Sequence, residues 1–224
     1  VLTSTVIKQV KGFIGNFEIT AQGKKNAVNF KVGTIIVATG AVELEPVGMY
    51  GFKQYDNVIT QLKLEKLLKT GQLKKPTSVV MIQCVGAREE GRTYCSRVCC
   101  MNAIKNATLV KELYPDAEIY ILFRDLQTYG EKYEKFYLDA RSKFIQFIRY
   151  LPERPPEVIS DPSGKTIVRV YDSLLGTHVE INSDLIVLST PLIPHENTKE
   201  LSRILKVPLG PDGFFFEAHV KLRP

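Results

Sequence analysis

The residue order predicts an α/β protein in which a Rossmann-like parallel-sheet domain is inserted into a second domain built on an antiparallel β-meander. Three observations predict it. Residues 1–40 alternate apolar and polar positions with period two between glycine turns. Residues 77–125 read strand, loop, helix, strand, the order of a βαβ unit. The opening meander has nothing to pack against unless the chain returns to it after the apolar run Asp184–Ser189. These observations set the divisions at 1–76, 77–189 and 190–224, with the first and third segments sharing one domain.

Taken in order, Val6-Ile7, Phe17-Glu18-Ile19 and Val28–Val32, separated by Gly12, Gly15 and Gly23, predict short antiparallel strands. Thr34–Ala41 predicts a fully apolar strand whose small last residues let a ligand or another backbone come close. Leu62, Leu64, Leu67 and Leu68 have helical spacing, and Pro76 marks the expected domain boundary. Val79–Gln83 and Glu118–Phe123 are β-branched apolar runs typical of buried parallel strands, with helical spacing from about Ser96 between them. Residues 129–142 read as an amphipathic helix with Tyr133, Phe136, Tyr137 and Ala140 on one face, followed by a strand at Phe144–Tyr150 and a linker at 152–156. Thr166–Tyr171 and His178–Ile181 predict a hairpin around Leu174-Leu175-Gly176, and Asp184–Ser189 a last buried strand.

Composition narrows the function. The net charge of +6 comes from 30 basic and 24 acidic residues scattered along the chain, with no basic stripe interleaved with aromatics, so nucleic-acid binding is not expected. No apolar run approaches the roughly 18 residues of a membrane span. The chain opens at Val1 without Met and reads as an internal piece of a longer protein. His178, His195 and His219 stand apart without ligand spacing and read as surface or turn residues.

The chemistry concentrates in 79–106, which holds every cysteine: Cys84, Cys95, Cys99 and Cys100. Cys84 follows a strand and the other three precede or open a helix, the crevice where doubly wound sheets bind ligands. A positive helix end favours the thiolate, the form that ligates metals and attacks disulfides. Cysteines that cluster in one place serve one site rather than a secreted disulfide framework, which implies a reduced, cytoplasmic setting. The dinucleotide signature G-x-G-x-x-G is replaced here by C-V-G-A-R, in which only Gly86 remains, so thiols stand where a pyrophosphate would lie. Three uses of the thiols stay open on this reading: an iron-sulfur site, a structural zinc site, and a dithiol pair of Cys95 with Cys99 or Cys100, since vicinal cysteines bond to each other only under strain.

The strings VVMIQCVGAR, YCSRVCCMNAIKNA, ILFRDLQTYG, FIRYLPERPPEV, DLIVLST and LKVPLGPDGFFFEAHVKLRP resemble the central part of the A-subunit family of heterodisulfide reductases. The spacing C-x10-C-x3-C-C followed by A-I-K-N-A carries the resemblance. It implies a thioredoxin-reductase-like flavoprotein module of the two-dinucleotide-binding type, with an incomplete FAD-binding domain around the inserted one. Cys84, Cys95, Cys99 and Cys100 would then hold a 4Fe-4S cluster, and Lys105 would approach the reactive nitrogen of FAD. Thr39, Gly40 and Ala41 resemble the strand that crosses close to the flavin nucleotide in two-dinucleotide flavoprotein reductases. The implied partners are the other subunits of a heterodisulfide reductase-like complex, with ferredoxin or a hydrogenase- or dehydrogenase-side donor. The segments that grip the FAD pyrophosphate and close over the flavin are expected outside residues 1–224, so the piece alone is expected to hold FAD poorly and to be inactive.

Overall fold

The computed structural model describes residues 1–217, so His219 lies outside the described residues. Contacts divide the chain into two compact units, one of 1–42 with 193–217 and the other Glu43–Leu192.

The first unit opens with β1 (Val6–Phe13), β2 (Asn16–Gln22) and β3 (Ala27–Val32), an antiparallel sheet in that order. The turn between β1 and β2 needs glycine at Gly12: φ is 88°, and a Cβ there would stand 2.0 Å from the Asn16 carbonyl oxygen. The apolar run predicted as a strand at Thr34–Ala41 is not one. It is irregular up to β4 (Val42–Glu43), and Ile36 is 88% exposed. Composition supplies strand propensity, but a strand exists only where a neighbour's N–H and C=O groups close the ladder, and this run has no such neighbour among the described residues.

The larger unit continues with β5 (Val58–Thr60), which runs directly into α1 (Gln61–Lys69). Thr60 caps α1, its hydroxyl accepting the Lys63 N–H at 3.4 Å. Then come β6 (Ser78–Ile82), α2 (Cys99–Leu113), β7 (Glu118–Phe123), α3 (Tyr133–Ser142) and β8 (Gln146–Arg149). Next, β9 (Glu157–Ser160), β10 (Thr166–Asp172) and β11 (Thr177–Asn182) form an antiparallel sheet of order β11-β10-β9. Finally β12 (Leu185–Leu188) completes a five-stranded parallel sheet of order β5-β12-β6-β7-β8.

Period-two alternation sorts the two faces of this sheet. Val79, Met81, Ile119, Ile121 and Val187 pack with Leu64 of α1, Ala103, Ile104, Ala107 and Val110 of α2, and Ala140 of α3. Val80, Ile82, Leu122, Ile186 and Leu188 point the other way, onto Val168, Val170 and Ile181 of the antiparallel sheet. The result is three layers, and each fully buried aliphatic side chain contributes about 1.5–3 kcal/mol. In-register pairing keeps the faces aligned, with Val79 opposite both Ile119 and Leu185. One carboxylate ties the strand starts together: Asp184 accepts the N–H of Thr77 at 2.7 Å and of Ser78 at 3.3 Å, and the Thr77 hydroxyl. The hydrogen bonds from Thr77 hold its carboxyl below the usual carboxylate range.

The sequence reading places the first division at Pro76, whereas the compact unit begins at Glu43. The difference has a physical cause: β5 adds to β12 as a parallel edge strand and α1 packs into the same core, so 58–69 share the hydrophobic core of the parallel sheet. Beyond β13 (Leu192–Ile193), α4 (Thr198–Leu205) packs on β1 in the first unit.

Candidate functional site

The candidate site lies beyond the carboxyl ends of β6, β7 and β12. β6 continues through β7 in one direction and is flanked by β12 on the other side, so the strand order reverses beside β6. The loop that leaves β6 leads to α2 and on to β7, whereas β12 on the other side is followed by β13, so the chain parts at this point, where doubly wound sheets bind ligands.

Three backbone contacts fix how the chain leaves β6. The Gln83 N–H donates to Leu122 O at 2.9 Å, its carbonyl accepts the Tyr150 hydroxyl at 2.7 Å, and the Val85 N–H donates to Ser189 O at 3.1 Å. Between them Cys84 adopts a left-handed conformation, φ 61°, which is uncommon for a residue with a Cβ and persists only where the surroundings impose it. Gly86, φ 72°, makes the next turn against Leu44, whose side chain a Cβ would meet at 2.7 Å. The one glycine left of the dinucleotide signature thus serves packing.

Cys95 precedes α2, and the Arg97 N–H donates to its sulfur at 3.4 Å. The helix begins at Cys99, three residues later than the spacing alone suggests. The Cys99 thiol donates to Thr190 O at 3.4 Å and the Cys100 thiol lies 3.9 Å from Asp125 O. All four thiols line one small cavity, together with Gln83, Arg88 and Asp125. All four cysteines are free. Among the described residues, no three His, Cys, Asp or Glu side chains are grouped as they would be around a single metal ion.

Electrostatics in the cavity differ from the expectation that a helix end lowers the thiol values. Burial pushes Cys99 up to about 12, reinforced by its cysteine neighbours, and Cys100 up to about 11. Cys84 is also raised by burial, against the pull of Arg88 and Arg124. Desolvation outweighs the helix end, so these groups are neutral thiols at neutral pH until a cation arrives. Arg88 is held by Asp125 at 2.8 Å, and that hydrogen bond keeps the Asp125 carboxyl below its usual range.

Several residues around the thiols escape a reading of the sequence. Arg124, just past β7, donates to the carbonyls of Arg88 at 3.0 Å and Ala87 at 3.4 Å, bracing the cysteine loop. A buried polar chain runs from Asn106 to Gln61 Oε1 at 2.7 Å and from Gln61 Nε2 to Ser189 Oγ at 3.1 Å, tying α2 to α1 and to the end of β12. The signal for Gln83 was an amide continuing the buried face of Val79 and Met81.

The other sequence-predicted residues lie elsewhere. Lys105 is on the α1-facing side of α2, paired with Glu65, and lines a surface groove with Leu68 and Leu109 rather than the thiol cavity. Thr39, Gly40 and Ala41 belong to the first unit; Gly40 has φ 67° and open space where a Cβ would stand. His178 is exposed and stacks edge-on against Tyr171, and His195 is half-buried, its carbonyl accepting the Thr198 N–H at 3.0 Å.

No protein-family model matches the chain. It is 42% identical to the first CoB--CoM heterodisulfide reductase iron-sulfur A-subunit of Methanopyrus kandleri, over 88% of this chain and 32% of that protein. It is 44% identical to the corresponding A-subunit of Methanocaldococcus jannaschii, over 90% of this chain and 33% of that protein. Among solved structures, thioredoxin reductase from T. acidophilum matches with a TM-score of 0.52 and 17% identity, over 98% of this chain and 62% of that one. The FAD-bound cadaverine monooxygenase of Erwinia amylovora also gives 0.52, at 7% identity, over 92% of this chain and 56% of that one. These two show the fold alone: α/β, of the kind seen in two-dinucleotide-binding flavoproteins. The chain spans about a third of the length of the curated relatives it matches, and over 88–90% of its own length it is homologous to that segment of the heterodisulfide reductase A-subunits.

Proposed function

We propose that this chain is the electron-transfer core of a heterodisulfide reductase-like flavoprotein, in which Cys84, Cys95, Cys99 and Cys100 hold a 4Fe-4S cluster and FAD binds alongside. The observation that carries the reading is the convergence of all four thiols on one cavity at the switch point of the parallel sheet. The donor set fits the group: it is all sulfur, as thiolate-bound clusters require. The relatives' names, which include "iron-sulfur" and, in Methanococcus maripaludis, "ferredoxin reductase", point the same way.

When bound, the cluster supplies one-electron exchange and FAD couples it to two-electron chemistry. The chain's own residues prepare the place. The αL turn at Cys84 and the first turn of α2 aim the sulfurs inward, and burial of Cys100, 5% exposed, excludes water. Arg88, anchored by Asp125, sets a positive charge beside Cys84 against the negative charge that thiolates bring. The flavin residues assigned by the resemblance are Thr39, Gly40 and Ala41 in the first unit and Lys105, paired with Glu65, in the larger one. The first unit would contribute to the FAD-binding domain and the larger unit would be the inserted one. Other subunits of the complex, with ferredoxin or a hydrogenase- or dehydrogenase-side donor, are the partners, and thiolate ligation suits the reducing cytoplasm.

Anaerobic reconstitution with iron and sulfide tests this. The chain is expected to turn brown with iron and acid-labile sulfide in equal amounts. Cys84→Ser is expected to cut the iron content by half or more. A colourless protein with one zinc per chain would replace the cluster with the zinc reading, and full iron in the Ser variant would remove Cys84 from the site.

A further inference from the structure

We infer that the side-chain amide of Gln83 donates a hydrogen bond to a sulfur of the thiol site and raises the reduction potential of the cluster held there; this rests on the cluster reading above. Gln83 is 0% exposed, and both Nε2 and Oε1 are buried without a hydrogen-bond partner among the described residues. Since neither atom is partnered, the choice of which is nitrogen does not affect the argument. Buried amides are nearly always satisfied in folded proteins, so an orphaned one on a cavity wall points to something that occupies the cavity. That wall is shared with all four thiols.

The side chain has little freedom to look elsewhere. Its own backbone is held on both sides, by Leu122 O at 2.9 Å and by the hydroxyl of Tyr150 at 2.7 Å, and Tyr150 is itself buried. Cys84 follows immediately, so the amide and the first thiol enter the site together. An N–H donor stabilises the electron-rich sulfur more when the cluster carries the extra electron, which favours the reduced form. Gln83 is thus a positioning and tuning residue, not a ligand.

The test compares wild type, Gln83→Leu and Gln83→Met in the full chain, reconstituted anaerobically and titrated by electron paramagnetic resonance against a series of mediators. In both variants the ratio of reduced to oxidised cluster at fixed ambient potential is expected to fall about tenfold, equivalent to about 59 mV for a one-electron couple. Unchanged potentials at full iron content would overturn the inference and leave the cluster reading standing. A wild type that takes up no iron would overturn both. A second measurement covers variants that lose the cluster: with iron stripped by chelator, Gln83→Leu is expected to unfold at a higher temperature than wild type, because it removes an unsatisfied amide. A lower unfolding temperature would mean that the amide is already satisfied without the cluster, and the inference would fail.

Discussion

Cys99 and Cys100 sit at the first turn of a helix, where a partial positive charge would favour thiolates, yet burial raises both, to about 12 and about 11. A raised thiol value means that the folded, metal-free chain binds its protons more tightly than the unfolded chain, whose cysteines titrate near about 8.5. The stability this contributes is fully present below that value and is lost as pH climbs through 11 to 12. Urea unfolding of the metal-free chain is therefore expected to weaken on the alkaline side, and replacing both cysteines with Ala is expected to flatten that limb. An alkaline limb unchanged by the double replacement would show that other groups cause it. If the thiols take up iron as proposed, its charge would deprotonate them, so uptake would release protons and is expected to slow as pH falls.

At the scale of elements, α2 does two jobs: its first turn carries two cysteines and its buried face, Ala103, Ile104, Ala107 and Val110, anchors it to the parallel sheet. Ile104→Ala is expected to cost about 2–5 kcal/mol by the cavity it leaves. Because Ile104 is fully buried one turn beyond Cys100, the loss is expected to appear both in the urea midpoint and in weaker iron retention during chelator challenge. Normal retention despite the lost stability would mean that the cysteine loop is held from outside the helix, through Arg124 and Asp125. The strand-end contacts make that alternative concrete: Val85 N–H to Ser189 O, Cys99 to Thr190 O and Leu192 N–H to Ser96 Oγ at 2.9 Å all link the loop to the end of β12.

At the scale of the molecule, both hydrophobic clusters, all four cysteines and the whole cavity wall fall within Glu43–Leu192. A fragment of residues 43–192 is therefore expected to fold cooperatively and to take up iron as the full chain does, measured by circular dichroism and iron analysis. It lacks Thr39, Gly40 and Ala41, so flavin binding, followed by quenching of FAD fluorescence, is expected to be weaker than in the full chain. A fragment that starts at Pro76 is expected to be less stable than the one from residue 43, because it loses the pairing of β5 with β12 and the burial of Leu64.

The sequence by itself determined the elements whose signal is local. Period-two alternation placed the meander, β-branched runs placed β6, β7 and β12, and the crowding of four cysteines into seventeen positions pointed to the candidate site. What depends on partners distant in the chain was decided only by the tertiary structure. Thr34–Ala41 has the composition of a strand and no ladder neighbour; Val58–Thr60 has only three residues and becomes a strand because β12, more than a hundred residues later, supplies its hydrogen bonds. The sites divide in the same way. Thiols are visible as letters, but their proton affinity, the bracing by Arg124 and the orphaned amide of Gln83 come from burial, and burial is a property of the packed chain rather than of any stretch of it.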